Sequence, residues 1–85
     1  MTITEFFDEP ISVNAAIDDQ GQIVLQSLTW QNQQYTIVAV GRQWDEEDGR
    51  HIMAEAVDGT RFEIQLSRED LICYVRRVWR TQMVT

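Results

Sequence analysis

At 85 residues the chain is short enough for only one domain, and its formal net charge of −7 argues against binding phosphate backbones or anionic membranes through its overall charge. Cys73 is the sole cysteine, which excludes an internal disulfide and favours a reducing compartment. Cys73 and His51 are also the only soft metal ligands, so a zinc site of the usual composition cannot be built. A domain of this size buries only about 60–65% of its unfolded surface, which leaves oligomerisation open as a further source of stability.

The charged residues are unevenly distributed along the chain. Residues 1–48 hold nine acidic residues and a single arginine, whereas residues 49–85 hold five acidic residues and six arginines. The N-terminus lacks the basic start and long apolar run of a signal peptide, and no stretch approaches the roughly 20 apolar residues of a membrane span. We therefore expect a soluble, cytoplasmic protein with no membrane partner. Nucleic acid could bind only through a local patch of arginine and aromatic residues.

The first predicted elements are an N-terminal arm over residues 1–10 and a strand over residues 11–15. The turn signal Asp18-Asp19-Gln20-Gly21 follows, in which glycine is free to adopt a positive φ. Residues 23–30 then form a second β-rich run. Two adjacent phenylalanines in the arm would be costly to expose, so we expect the arm to dock, either on its own barrel or on a neighbouring subunit.

A first hairpin is predicted around the two-residue loop Asn32-Gln33. This loop places Trp30 opposite Tyr35, a cross-strand aromatic pair of the kind that stabilises sheets. The strand over residues 35–44 ends at a hydrophilic loop over residues 45–49.

A second hairpin joins residues 50–57 to residues 61–66. A two-residue Asp-Gly turn would place a glutamate opposite Phe62, so the buried face would no longer pair apolar residues. The three-residue loop 57–59, with its glycine left-handed, instead pairs Ala54 with Phe62. Because register follows the buried face, the pattern favours the longer loop with a bulge.

The last segment, residues 67–80, fits either a helix or a strand. Its start resembles a helix capping box and its apolar residues fall at helical spacing, yet it is rich in β-branched and aromatic residues. The residue pattern leans slightly towards helix. On a strand, Arg76 and Arg80 would share one face, and Arg77 would lie on the other face with Trp79.

A succession of short motifs runs along nearly the whole chain: Pro10-Ile11-Ser12-Val13, Leu28-Thr29-Trp30, Tyr35-Thr36-Ile37, Trp44, Gly59, Phe62-Glu63-Ile64 and Arg77-Val78-Trp79. Their order resembles a family of small uncharacterised bacterial domains. The resemblance implies a strand over residues 72–79, although members commonly carry an acid where this chain has Arg80. Some relatives occur beside, or fused to, Y-family-like polymerases of mutagenic DNA repair, so the resemblance implies a DNA-repair context.

Six aromatic and arginine residues are candidates for a binding surface. Exposed rings could stack on a peptide or an unstacked base, and the arginines could contact a phosphate or an acidic partner. Alternatively, the rings fill a small core and the arginines pair with the acidic N-terminal half. The candidates are Trp30, Tyr35, Trp44, Arg76, Arg77 and Trp79.

No motif indicates catalysis or a cofactor. The acidic loop over residues 45–49 lacks the ligand spacing of an EF-hand, so a solvated hairpin tip is favoured over calcium binding. Nothing in the spacing of His51 and Cys73 brings them together as base and nucleophile. We expect no enzyme activity, no cofactor and no metal.

The sequence therefore predicts an all-β fold, a small antiparallel barrel or strongly bent sheet of five to six strands, SH3-like in architecture. The alternative is the same sheet with a helix over residues 68–80. The function expected is a non-catalytic binding or adaptor module with a protein partner, with association to DNA-repair polymerase machinery implied by the resemblance. The alternative is a structural homodimer with no ligand.

Overall fold

The strands form one antiparallel sheet that closes on itself. The structure is a computed structural model and describes residues 2–81. Its strands are β1 (Thr2–Ile17), β2 (Ile23–Trp30), β3 (Gln33–Glu46), β4 (Gly49–Ala56), β5 (Arg61–Ser67) and β6 (Cys73–Thr81). Each strand pairs with the next in chain order and β6 returns to β1, so the described residues form a closed six-stranded barrel. The predicted all-β barrel is confirmed, and the alternative helix over residues 68–80 is wrong.

β1 is the strand that closes the barrel. Its part up to residue 11 pairs with β6, and residues 12–17 pair with β2. The predicted arm, which the structure describes over residues 2–10, is therefore part of a strand, because residues 2–6 and 9–10 pair with β6 on either side of an irregularity in the register. The arm docks on its own barrel, and the ring of Phe7 packs edge-on against Trp30 with centroids 4.9 Å apart.

The core inside the barrel centres on aromatic rings. The Phe62 ring lies edge-to-face with Trp30 at 6.0 Å and with Tyr35 at 5.0 Å between centroids, the arrangement that ring quadrupoles favour. Aliphatic side chains at most 1% exposed surround these rings: Leu28, Ile52, Ile64, Val75 and Val78.

A bulge in β6 explains why its sequence resembles a helix. Against β5, β6 contributes one extra residue, Arg76, at the point where the register shifts. Val75 and Val78 are consequently both fully buried although they are three residues apart, a spacing that would place them on opposite faces of a regular strand. Burial at i and i+3 is the pattern of a helix, so the bulge produced the misleading signal.

The first hairpin turns one residue earlier than predicted. Its loop is Gln31-Asn32, with φ of 51° and 62°, as a type I′ turn requires. Tyr35 therefore faces Leu28 and not Trp30. Moving a loop by one residue shifts the register by two, which leaves the same side chains on the buried face. For that reason the apolar pattern could not distinguish the two registers.

The second hairpin has the predicted geometry. Ala54 lies opposite Phe62, and the loop spans residues 57–59 with Gly59 at φ 90°. The turn at residues 18–21 is confirmed as well, with Gly21 at φ 77°.

The acidic loop predicted over residues 45–49 is shorter in the structure. β3 continues to Glu46 and the turn consists of residues 47–48, because the strand ends pair up to Gly49. Gly49 is buried at φ 136°, and a Cβ there would overlap the carbonyl oxygen of Leu66. Only glycine can occupy this position without displacing β5.

Candidate functional site

Three turns meet at one end of the barrel. Consecutive antiparallel strands alternate in direction, so the β1–β2, β3–β4 and β5–β6 turns all lie on the same side. Hydrogen bonds join them: Arg50 Nη1 donates to the carbonyl oxygen of Gly21 at 2.9 Å, and the Arg68 amide donates to that of Asp48 at 3.0 Å. We call this side of the molecule the acidic end.

The acidic end concentrates negative charge. The turns and adjoining strand ends carry eight acidic residues against Arg50 and Arg68. Arg50 pairs with Asp45 (Nε–Oδ1 3.0 Å), and this hydrogen bond lowers the pKa of the carboxyl. The acidic residues are Asp18, Asp19, Asp45, Glu46, Glu47, Asp48, Glu69 and Asp70. The net field at this end is strongly negative.

An apolar depression opens between the β1–β2 and β5–β6 turns. It has a volume of about 280 Å³ and reaches the core side chains Ile52 and Ile64 at its floor. We call it the apolar cup; apolar side chains line it, among them Ile17, Ile23, Leu25, Leu66, Leu71 and Cys73. Ligand sites are concave and predominantly apolar, and this cup has that character.

Leu71 and Ile17 form the exposed rim of the cup. Leu71 is 75% exposed and Ile17 is 71% exposed. Leu71 also has φ 60°, a left-handed conformation that costs a residue with a Cβ about 1–2 kcal/mol. Burial of its own side chain offsets little of this cost. A residue that combines a strained backbone with an exposed apolar side chain is typical of a surface that contacts a partner. It is not typical of a residue that stabilises the fold.

A second feature, on the outer face of the barrel, is a buried polar cluster around His51. The His51 side chain is 5% exposed and the Glu63 side chain is 9% exposed, and Nδ1 of His51 lies 3.0 Å from Glu63 Oε2. Trp44 stacks on the imidazole with ring centroids 5.3 Å apart and planes 19° apart. Arg77 Nε donates to Glu63 Oε1 at 2.6 Å, so the carboxylate connects two cationic groups.

The other imidazole nitrogen of His51 faces the acidic end. Nε2 lies 2.9 Å from Asp48 Oδ1 and 3.5 Å from Glu46 Oε2. Burial disfavours the charged ring, but the hydrogen bonds to Asp48 and Glu63 and the charges of Asp48 and Glu46 outweigh it and raise the pKa of His51. The same contact lowers the pKa of Asp48.

The four predicted aromatic candidates are split between core and surface. Trp30 is 2% exposed and Tyr35 is 8% exposed, so both rings fill the core, which corrects the expectation that they form part of a contact surface. The physical reason is that a small core gains most from large rings. Trp44 and Trp79 are half-buried on the outer face, each under an arginine: Arg42 lies 5.1 Å from the Trp44 ring, and Arg77 lies 4.9 Å from the Trp79 ring.

The candidate arginines are paired with carboxylates of the same chain. Arg76 Nη1 donates to Gln65 Oε1 at 2.9 Å and lies 3.4 Å from Asp8, and Arg77 pairs with Glu63. Their positive charge is therefore largely neutralised within the molecule, as the alternative interpretation expected.

Arg80 does not share a face with Arg76. The bulge turns Arg80 towards the barrel end, where its guanidinium lies 4.9 Å from the Trp30 ring. Its Nε is 3.3 Å from Glu5 Oε1 without hydrogen-bond geometry. The expected co-facial pair is wrong because the extra residue in β6 reverses the alternation beyond it. Arg77 and Trp79 do lie together, as predicted.

Cys73 and His51 belong to different sites. Cys73 lines the apolar cup, and burial raises the pKa of its thiol. His51 is next to Ile52 on β4, and because Ile52 faces the cup, His51 points to the opposite face of the sheet. The structure does not bring them together as a base and a nucleophile.

A depression of about 310 Å³ beside Trp79 is a weaker candidate. Its walls mix polar and apolar side chains, and Arg61 on its edge pairs with Glu55 at 3.2 Å. It is lined by Thr2, Met53, Gly59, Arg61 and Trp79. The apolar cup differs in having a floor of fully buried aliphatic residues.

Sequence reasoning missed the acidic end because its parts are far apart along the chain. A signal was nevertheless present: the acidic pair Asp18-Asp19 directly follows Ile17, and Glu69-Asp70 directly precedes Leu71. An exposed apolar residue beside two acids occurs at both turns that border the cup.

The chain matches no family model, no curated protein and no solved structure. Within residues 2–81 no helix long and apolar enough to cross a membrane is found.

Proposed function

We propose that this domain is a non-catalytic binding module whose acidic end takes a basic segment of a partner protein, with one apolar side chain of that segment seated in the apolar cup. One observation carries the proposal: Ile17 and Leu71, which border an open apolar cup, each adjoin two acidic residues, at the end of the barrel that carries eight carboxylates. The combination matches a ligand that is apolar at its centre and positively charged on either side.

The size of the cup favours a side chain over a larger ligand. Its volume of about 280 Å³ lies just below the range of roughly 300–1,000 Å³ typical for drug-sized molecules. Burial of one leucine or phenylalanine side chain contributes about 1.5–3 kcal/mol. Such an anchor gives modest affinity, and attraction between the acidic end and a basic segment increases this affinity.

The charge of the acidic end selects the partner class. Lysine and arginine side chains beside the anchor would be steered to this end, whereas phosphate backbones would be repelled. A second copy of the chain is repelled as well, because it presents the same eight carboxylates. The homodimer alternative therefore gains no support at this surface.

The test uses short synthetic peptides and the full 85-residue chain. A peptide with a central leucine and flanking lysine and arginine is added to ¹⁵N-labelled protein, and amide shifts are recorded. We expect saturable shifts at Ile17, Leu66, Leu71 and Cys73. A peptide of reversed charge and one with serine in place of leucine should leave these amides unchanged.

A matched pair of variants locates the contact. Ile17→Ser should weaken binding of the basic peptide by at least about fivefold, equivalent to about 1 kcal/mol. Val57→Ser is the control, because Val57 is also 71% exposed but lies on the β4–β5 loop at the opposite end. Equal binding by both variants, or shifts elsewhere on the barrel, would overturn the proposal.

The association with Y-family-like repair polymerases remains a proposal that rests on the resemblance. At this surface, the association would consist of a basic polymerase tail that places one apolar side chain in the cup. Tail peptides from such polymerases, added to the same titration, test it. A generic basic peptide that binds while every tail peptide fails would remove the polymerase context and leave the binding module.

A further inference from the structure

His51 lies among three carboxylates on the outer face of the barrel. Nδ1 is 3.0 Å from Glu63 Oε2, and Nε2 is 2.9 Å from Asp48 Oδ1 and 3.5 Å from Glu46 Oε2. The groups that face the ring come from four places in the chain: Trp44 and Glu46 on β3, Asp48 in the turn, Glu63 on β5 and, through Glu63, Arg77 on β6.

The proposal also depends on which nitrogen of the neutral His51 ring carries the proton. Arg77 Nε donates to Glu63 Oε1 at 2.6 Å, and Glu63 Oε2 faces Nδ1 at 3.0 Å, so in the neutral ring Nδ1 donates to this oxygen. The neutral ring then points the lone pair of Nε2 at two carboxylate oxygens. Three lone-pair-bearing atoms that converge in this way repel one another unless a cation lies between them.

We propose that Glu46, Asp48 and His51 bind a divalent transition-metal ion of the zinc type, which replaces the proton on Nε2. With a neutral imidazole, the cluster holds three carboxylates, of which Glu63 pairs with Arg77, and a divalent ion offsets more of the remaining negative charge than one proton does. Imidazole nitrogen together with carboxylate oxygen suits zinc and disfavours magnesium and calcium. The proposal does not depend on the apolar cup, since these side chains lie on the outside of the sheet.

The distances fit such a site with small movements. Ligand atoms about 2.0–2.2 Å from a tetrahedral zinc lie about 3.3–3.6 Å from one another. The three candidate atoms all lie within 4.8 Å of one another. The adjustment falls on the Glu46 and Asp48 side chains, which are 54% and 44% exposed. Three protein ligands would leave the fourth tetrahedral position for a water molecule.

Each ligand residue is positioned by a group that is not itself a ligand. Trp44 Nε1 donates to Glu46 Oε1 at 2.9 Å, which leaves Oε2 facing His51. Gln65 Nε2 donates to the Asp48 carbonyl oxygen at 2.9 Å and holds the turn. Glu63 holds the His51 ring through Nδ1, the arrangement of a carboxylate–histidine pair behind a metal. This support distinguishes the cluster from an ordinary group of exposed acids.

The experiment titrates the metal-free protein with zinc chloride and, separately, magnesium chloride. The readouts are calorimetry and the nitrogen resonances of the His51 ring. We expect saturable zinc binding with a shift at Nε2 and little at Nδ1, and no response to magnesium. Zinc binding should weaken as pH falls through the range in which His51 takes up a proton.

Exposed variants make the test independent of folding. Glu46→Gln and Asp48→Asn should each weaken zinc binding about tenfold or more. Glu47→Gln, in the same turn but outside the cluster, is the control and should bind like the wild type. Absence of saturable zinc binding would overturn the proposal. An equal loss of zinc binding in all three variants would overturn it as well, because non-specific attraction to the acidic end would explain that result.

Discussion

The carboxylate of Glu63 lies 3.0 Å from Nδ1 of His51, and both side chains are less than 10% exposed although they project from the outside of the barrel. Trp44 covers the imidazole, and Arg77 pairs with the carboxylate. The outer face of β4 and β5 thus behaves as a small polar core. A buried polar network is stabilising only when each member has a partner, so changes to single members should be costly.

Replacement of Glu63 tests this network. Glu63→Gln removes the charge that holds both His51 and Arg77, and we expect a loss of about 1.5–3 kcal/mol in the free energy of unfolding. Glu55→Gln is the control: its pair with Arg61 is exposed and should contribute about 1 kcal/mol or less. Urea unfolding of the two variants measures the difference, and similar losses would show that burial does not strengthen the Glu63 contacts.

The stability of the fold should fall as the pH rises above about 6.5. Burial disfavours the charged ring, but Asp48, Glu63 and Glu46 outweigh it and raise the folded-state pKa of His51 above the 6.5 usual for histidine. The charged ring therefore stabilises the fold fully below the unfolded pKa, and this contribution is lost as the pH rises through the folded pKa.

Urea unfolding between about pH 6 and pH 8.5, with a chelator present, measures this effect. Each unit by which the pKa is raised corresponds to about 1.4 kcal/mol. The variant His51→Gln should abolish the slope, whatever its stability at one pH. Wild-type stability that is flat or rises over this interval would contradict the prediction.

Leu71 should be replaceable with a gain in stability and a loss of binding. Leu71→Gly relieves the left-handed conformation at φ 60°, and since the side chain is 75% exposed little burial is lost. We expect a gain of about 0.5–1 kcal/mol after the greater chain entropy of glycine is subtracted. Gly21→Ala is the opposite substitution, at φ 77° with open space around the residue. It should lower the free energy of unfolding by a similar amount.

Thermal unfolding measures both changes, and the basic-peptide titration of Leu71→Gly separates stability from contact. A loss of stability in Leu71→Gly would mean that the leucine side chain packs on the fold and does not serve the surface.

Gly49 should not tolerate any side chain. A Cβ at this position overlaps the Leu66 carbonyl oxygen on β5, where the backbone cannot give way, so Gly49→Ala should cost more than about 3 kcal/mol or prevent folding. Gly41→Ala is the matched control, because its nearest neighbour, Met53 Cβ, would lie at an ordinary 3.6 Å. Circular dichroism during thermal unfolding compares the two, and a stable Gly49→Ala variant would contradict the close approach of β4 and β5.

Local patterns were sufficient to predict much of the barrel. The opposition of Ala54 and Phe62 followed from the requirement that apolar residues share one face, since a one-residue slip would expose them. The left-handed glycine at position 59 followed in the same way from its loop. The first hairpin failed because its two candidate registers bury the same residues, so no local rule could separate them.

Long-range contacts account for what the patterns did not predict. β6 lies beside β1 although nearly the whole chain separates them, and this pairing converts the N-terminal arm into a strand. The bulge at Arg76 exists because two neighbouring strands must keep Val75 and Val78 in the same core. Local spacing alone therefore resembled a helix.

The alternation of apolar residues and the turn-forming glycines predicted the strands and turns between residues 11 and 66, because a strand's period and a left-handed turn are properties of a few adjacent residues. Over residues 67–80 the same patterns leaned towards a helix. The apolar cup beside the acidic turns, and the meeting of Glu46 and Asp48 with His51 in front of Glu63, arise only on closure of the barrel. Closure brings together turns and faces that are separated in sequence, and no local spacing encodes the distances between them.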